Sequence, residues 1–206
     1  MEKNLTRQER EKKRHCYEIL EVAERLFAEK GFHGTTMEEI AEKAEFSVGG
    51  LYNFFASKDK LYQELLEQRC RELADEALAA MRKVTDPISV IKAYIEAKVE
   101  LSQKYVNFSR LYTRERLGDR FSDSELWWKV VAPIYEEVMK FITETFAAGI
   151  AAGIFRGDVS PQDMVIALEG LTDGFLYEWM MFPQKTSFKD KYQAMVQLFI
   201  SGVRKE

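Results

Sequence analysis

An all-α chain is what this sequence predicts, and three observations predict it. Apolar residues recur at helical spacing through nearly every long segment, and no segment alternates with the period of two that a strand requires. Only 11 of 206 residues are glycine and 4 are proline, and three of those prolines fall where helices start or stop. Hydrophobic residues make up 46% of the chain, enough for a sizeable core, which sets disorder aside.

The elements follow in order. From Tyr17 to Ala28 a helix carries Ile19, Leu20, Ala23, Leu26 and Phe27 on one face. Gly31-Phe32-His33-Gly34 breaks it. Thr35 or Thr36 starts a short helix, since each has a glutamate three residues on, Glu38 or Glu39, at capping-box spacing. Its inward residues are Ile40, Ala41 and Ala44. After a tight turn at Glu45-Phe46, Ser47 caps another short helix to about Phe55. Ser57 caps a much longer one, with Leu61, Leu65, Leu66, Leu73, Ala77 and Met81 as its stripe.

Further helices fill the rest. Pro87 and Pro161 follow Asp86 and Ser160 at first-turn positions, where a missing N–H costs nothing, and Pro183 follows Phe182 at a helix end. Pro133 lies inside an apolar pattern from Leu126 to Phe155, so it is expected to kink or restart that helix. Neither repeats nor a Gly/Ser linker interrupt the chain. The expected organisation is a small unit over 1–62 joined by the long helix itself to a larger one over 63–206.

Charge bounds the function. Thirty Lys+Arg against 34 Asp+Glu give a net charge of −4, which argues against binding nucleic acid through a broad basic surface. The charge is unevenly divided. Residues 1–16, a basic N-terminal arm, hold six basic and three acidic side chains; residues 17–56 hold three and eight. No uncharged stretch reaches the roughly 18 residues of a membrane helix, and no signal-peptide core follows the arm. Cys16 and Cys70 are too few for a disulfide framework, which favours a reducing cytoplasm. His15 and His33 have no metal-ligand spacing, no nucleophile arrangement involves them, and no phosphate-cradling glycine motif occurs. Neither metal, cofactor nor catalysis is expected.

Two short helices joined by a tight turn and supported by a preceding helix are the minimum of a helix-turn-helix. Phe46 and Leu51 face the same small core as Ile19, Ala23, Phe27 and Ile40. The second short helix is odd as a purely structural one, because Gly49 and Gly50 together cost it about 2 kcal/mol relative to alanine. Bare glycines let a backbone approach another surface closely, either a nucleic-acid groove or a neighbouring helix of the same protein.

The run Thr35-Thr36-Met37-Glu38-Glu39-Ile40-Ala41, then Ala44, then Phe46-Ser47-Val48-Gly49-Gly50-Leu51-Tyr52-Asn53-Phe54-Phe55-Ala56-Ser57-Lys58 closely resembles the DNA-binding signature of the tetracycline-repressor (TetR) family. The resemblance covers roughly residues 15–65. It departs at Glu45, where the family usually has glycine in the turn; a non-glycine residue forced to positive φ is uncommon. The resemblance implies that the helix from Ser47 enters a major groove while the helix from Thr36 crosses the backbone. Thr36, Tyr52 and Lys58 are then expected at phosphates, and Ser47, Val48, Gly49 and Asn53 at base edges, where Asn53 suits adenine and Val48 a thymine methyl. Met37 occupies a position from which some members read a base.

The resemblance further implies a homodimer on a palindromic operator, released by a small, largely apolar or aromatic effector. The dimer faces are expected on Ala167, Leu168, Gly170, Leu171 and Gly174 and on Tyr192, Met195 and Phe199. Phe108, Tyr112, Trp128, Tyr135, Phe175 and Trp179 are the candidates for an effector pocket; Glu169 and Asp173 read first as solvent-facing carboxylates, and as contacts for a polar or cationic ligand group in the alternative. Repression is carried from the family. The alternative is a helical ligand carrier or partner-binding module whose helix-turn-helix no longer reads DNA.

Overall fold

The computed structural model describes residues 6–117, 127–185 and 187–205, with the backbone alone at 115–117 and 127–128. Helices follow one another as α1 (Arg7–Lys30), α2 (Met37–Lys43), α3 (Val48–Phe54), α4 (Lys58–Met81), α5 (Pro87–Lys104), α6 (Val106–Leu117), α7 (Ala132–Ala151), α8 (Pro161–Met181) and α9 (Tyr192–Val203). A π-helical turn, Trp127–Val131, runs into α7, and a 3-10 turn, Lys189–Lys191, into α9. Among the described residues the only β contact is one antiparallel bridge, Phe155 to Arg204. The architecture is all-α, with α4 running from the N-terminal helices into a larger helical body.

Side-chain caps set most of the boundaries. Thr36 starts α2 by accepting from the Glu39 N–H at 3.2 Å, whereas Thr35 is buried and donates to the Gly31 carbonyl. The box at α2 is only half made, because the Glu39 carboxylate pairs with Lys30 of α1. Ser47, Ser57, Asp86 and Ser160 cap α3, α4, α5 and α8 in the same way. Pro133 restarts rather than kinks: it sits in the first turn of α7, directly after the π-helical turn.

The basic segment expected as an arm is helical from Arg7 onward, which corrects that expectation. Thr6 and Glu9 close a full capping box at its start, and the i,i+4 pairs Arg7–Glu11 and Arg14–Glu18 run along it. Its basic side chains are therefore carried on a rod.

The turn between α2 and α3 is a Schellman motif. The Phe46 N–H reaches the Ala41 carbonyl at 2.8 Å and the Glu45 N–H the Glu42 carbonyl at 3.2 Å. That pattern requires a left-handed residue at position 45, and Glu45 supplies it at φ 61. The glutamate takes the conformation a glycine would.

Two main cores result. One gathers Ile19, Phe27, Ile40, Leu51 and Leu61, all at 0% exposure, each burial being worth about 1.5–3 kcal/mol. The other joins α4, α5, α7, α8 and α9 around Ile91, Ile142, Phe146 and Leu168. Phe108 and Leu111 of α6, with Val130 and Val131, belong to the first core, not the second. The Arg114 guanidinium of α6 lies 3.2 Å from where a Cβ on Gly31 would stand. The halves are thus linked through α6 on α1 as well as through α4.

Candidate nucleic-acid interface and ligand cavity

Helix α3 has seven residues, and packing fixes which of them face out. Leu51 and, at the cap, Phe55 are buried, so Val48, Gly49, Tyr52 and Asn53 are exposed together with Ser47. Val48 and Tyr52 expose 39% and 46% of their surface. Among the described residues, nothing beyond its own turn of helix lies within 4 Å of the place a Gly49 Cβ would occupy, so no close helix crossing among them accounts for that glycine. Gly50 is different: a Cβ there would meet the Ser47 Oγ at 2.9 Å. The face is small-surfaced and polar at its edges.

Thr36 is exposed at the start of α2, near this face in the same motif. Met37 and Lys58 turn inward instead. Met37 is buried in the N-terminal core. Lys58 is half-buried; its ammonium donates to the Phe32 and Thr35 carbonyls at 2.7 Å each and lies 4.3 Å from the centre of the Phe32 ring. It closes the α1–α2 connection, whose carbonyls need a donor. His15 packs edge-on against Phe46 and Phe54, which braces α3 from α1.

A cavity of about 170 Å³ lies between α4, α5, α6, α7 and α8. Phe108, Tyr112 and Tyr135 line it, as do Tyr94, Lys98, Glu169 and Asp173, against an otherwise apolar wall. Phe175 and Trp179 are not in that lining: Phe175 packs on the C-terminal core and Trp179 stacks on Phe188 at 5.3 Å. The side chain of Trp128 lies outside the described residues.

Lys98 organises the polar wall. Its ammonium is 3.1 and 3.2 Å from the two Glu169 oxygens and 2.9 Å from Asp173 Oδ1. The Tyr94 and Tyr135 hydroxyls donate to opposite oxygens of Glu169. Burial favours a neutral Lys98, but Glu169 and Asp173 hold its pKa above the ordinary value. Burial first, and Glu169 next, push the Tyr94 phenol well above its usual range. Burial alone pushes the Cys70 thiol in the same wall up to about 12. Sequence reasoning missed Tyr94 and Lys98, although a signal existed: Lys98 continues the stripe of Ile91, Tyr94 and Ile95 at i+7, i+4 and i+3 spacing. A lysine in such a stripe implies buried acidic partners.

On the outer side of α8, Ala167, Gly170 and Gly174 are exposed, and among the described residues nothing beyond the helix itself lies within 4 Å of a Cβ at either glycine. Ile166, Tyr177 and Met181 extend this surface, and Leu198 is exposed on α9. Leu168, Met195 and Phe199 point into the protomer's own core, while Leu171 and Tyr192 are half-buried against it.

The geometry is a helix-turn-helix with an outward second helix, built on a long helix that leads to a helical body holding a cavity. Residues 19–65 match the family described as "Bacterial regulatory proteins, tetR family". That match spans α1 from Ile19 through the first part of α4. It is 40% identical over 100 residues to the HTH-type transcriptional regulator RutR of Escherichia coli K12, covering 48% of this chain and 47% of that protein. The chain thus spans about half the length of that relative. It is 26% identical over 193 residues to the HTH-type transcriptional repressor KstR2 of Mycobacterium tuberculosis, covering 92% of each. The fold also superposes on FadR of Bacillus subtilis, solved with stearoyl-CoA, at a TM-score of 0.80 and 19% identity, covering 91% of this chain and 99% of that one. Among the described residues no helix is long and apolar enough to cross a membrane, and no group of metal-ligating side chains is gathered.

Proposed function

We propose that this chain is a homodimeric, cytoplasmic transcriptional repressor that reads a palindromic operator and releases it when a small molecule fills the cavity. The open space beside Gly49 carries the DNA reading. A glycine pair that weakens a short helix, with nothing among the described residues outside that helix pressed against the first of them, suits a backbone that must come close to a base-pair edge. Around it Ser47, Val48 and Asn53 offer a hydroxyl, a methyl surface and a bidentate amide to bases. Tyr52 and Thr36 are placed for phosphates. Lys58 serves by fixing the turn from which α2 starts, and Met37 by filling the core beneath it.

Two recognition helices must sit one turn of DNA apart, about 34 Å, to read successive major grooves. The exposed small-residue face of Ala167, Gly170 and Gly174, with Ile166, Tyr177 and Met181 beside it, is the surface we assign to the second copy. Cavity and reader share α6: Phe108, Ser109 and Tyr112 line the cavity, and Leu111 packs in the core of α1. A ligand that displaces α6 shifts α1 and changes the spacing of the recognition helices. Such coupling is reciprocal, so operator DNA weakens the ligand by the same factor.

Selection of bound duplexes from a random pool tests the reading. Enrichment of one palindromic site, lost in Asn53→Ala, is the expected result. Failure to enrich any site, with ligand binding retained, replaces it with the carrier reading, which the acidic surface of residues 17–56 would suit.

A further inference from the structure

A hydroxyl inside a helix can satisfy itself by donating to the carbonyl four residues back. Thr143, Thr145 and Thr172 do so here, donating to the Met139, Phe141 and Leu168 carbonyls at 2.8, 2.9 and 3.0 Å. Ser102, near the end of α5, does not. It is only 8% exposed and lines the cavity, and its hydroxyl has no hydrogen-bond partner among the described residues. Its own carbonyl accepts from the Ser109 hydroxyl of α6 at 3.2 Å, across the corner between the two helices. A ligand that fills the cavity shuts water away from the Ser102 hydroxyl, so it binds well only if it brings an acceptor of its own.

The rest of the described lining narrows the body that carries this acceptor. Leu73, Ala77, Leu101, Val138 and Leu176 present apolar surface. The charged groups of the wall hold one another: the Lys98 ammonium lies within 3.2 Å of both Glu169 and Asp173, and Glu169 also accepts from the Tyr94 and Tyr135 hydroxyls. An ionised ligand would have to break those pairs or give up its own hydration without a counter-charge. A neutral carbonyl needs neither.

We propose that Ser102 is the polar anchor of the cavity, which takes a small, neutral, largely apolar molecule whose carbonyl oxygen accepts from the Ser102 hydroxyl. The inference rests on the effector reading above for its biological consequence, but not for the binding itself. The anchor also lies where that reading needs it, because Ser102 and Ser109 meet at the corner from which α6 runs along α1. Calorimetry on the full chain tests it with three compounds of one shape: acetophenone, its hydrocarbon isostere isopropenylbenzene, and the anion benzoate. Ser102→Ala is expected to weaken acetophenone about tenfold and to leave isopropenylbenzene within about twofold of its affinity for the unmodified chain. Benzoate is expected to bind at least about tenfold more weakly than acetophenone.

The proposal is overturned if acetophenone does not bind, if Ser102→Ala weakens both neutral compounds alike or neither of them, or if benzoate binds as tightly as the ketone. The infrared carbonyl band of acetophenone bound to the unmodified chain decides the matter if that variant does not fold. A band lowered from its position in hexane supports the hydrogen bond, and an unmoved band overturns it. Release from the selected duplex is measured separately. Binding that depends on Ser102 but releases no duplex overturns the effector reading and keeps the anchor. Release by benzoate alone does the reverse.

Discussion

The Arg69 guanidinium on α4 donates to the Glu24 carboxylate on α1 across 2.7 Å, and both side chains are almost wholly buried. The same group reaches the Tyr17 hydroxyl at 3.2 Å and the Glu72 carboxylate at 2.5 Å, and lies 4.8 Å from the centre of the Tyr105 ring at the end of α5. One side chain thereby ties the first helix, the long helix and the larger helical body together. Replacing it leaves Glu24 charged and unpaired in the interior. Arg69→Met is expected to lower stability by about 3–5 kcal/mol in urea unfolding. The double variant Glu24→Gln with Arg69→Met should recover part of that loss.

Glu45 holds a left-handed conformation that a side chain resists by about 1–2 kcal/mol, while glycine adopts it freely but gives up more freedom on folding. Glu45→Gly should therefore stabilise the chain by a net ~0.5–1 kcal/mol, read as a small rise in Tm. A fall in Tm would mean that the Glu45 side chain contributes something its exposed position does not reveal.

Gly49→Ala separates folding from DNA reading. With open space at the Cβ position, alanine should strengthen α3 by up to about 1 kcal/mol. The same methyl stands between the backbone and any close surface, so affinity for a selected operator should drop at least about tenfold by gel shift. Stability and binding moving in the same direction would count against the interface.

Gly149 of α7 faces the buried ring of Phe155 so closely that a Cβ would collide with it. Gly149→Ala should cost about 1–3 kcal/mol, because a fully buried ring has nowhere to move. Thermal melts of the two alanine variants should therefore shift in opposite senses.

Gly174→Glu probes the proposed dimer face. The protomer has open space there, so the fold should persist by circular dichroism, while sedimentation should show monomers at concentrations where the unmodified chain is dimeric.

Much of this was legible in the sequence because it is local. Ser47, Ser57, Asp86 and Ser160 cap helices where hydroxyl or carboxylate precedes an apolar run, and Pro87 and Pro161 sit in the first turns that follow. Glu45 stood out because the family it resembles usually has glycine at that point of the turn, and the structure holds it at φ 61. Partnership across the chain was not legible. Lys58 looks like an exposed first-turn lysine until Phe32 and Thr35, more than twenty residues earlier, present their carbonyls to it. Phe175 and Trp179 share a helical stripe with Leu168, but periodicity alone does not say whether a stripe meets a cavity, a core or another copy. Residues 7–16 lack apolar spacing, and their helix rests on Thr6, Glu9 and charge pairs at i+4.

Helix α6 is a party wall. Phe108 is counted both in the cavity lining and in the N-terminal core. The shape of the cavity and the stability of the N-terminal core are therefore not independent traits of this chain. A substitution that enlarges the cavity at this wall must be matched by repacking on the other side, so changes in the two should arrive paired, with compensating changes on α1.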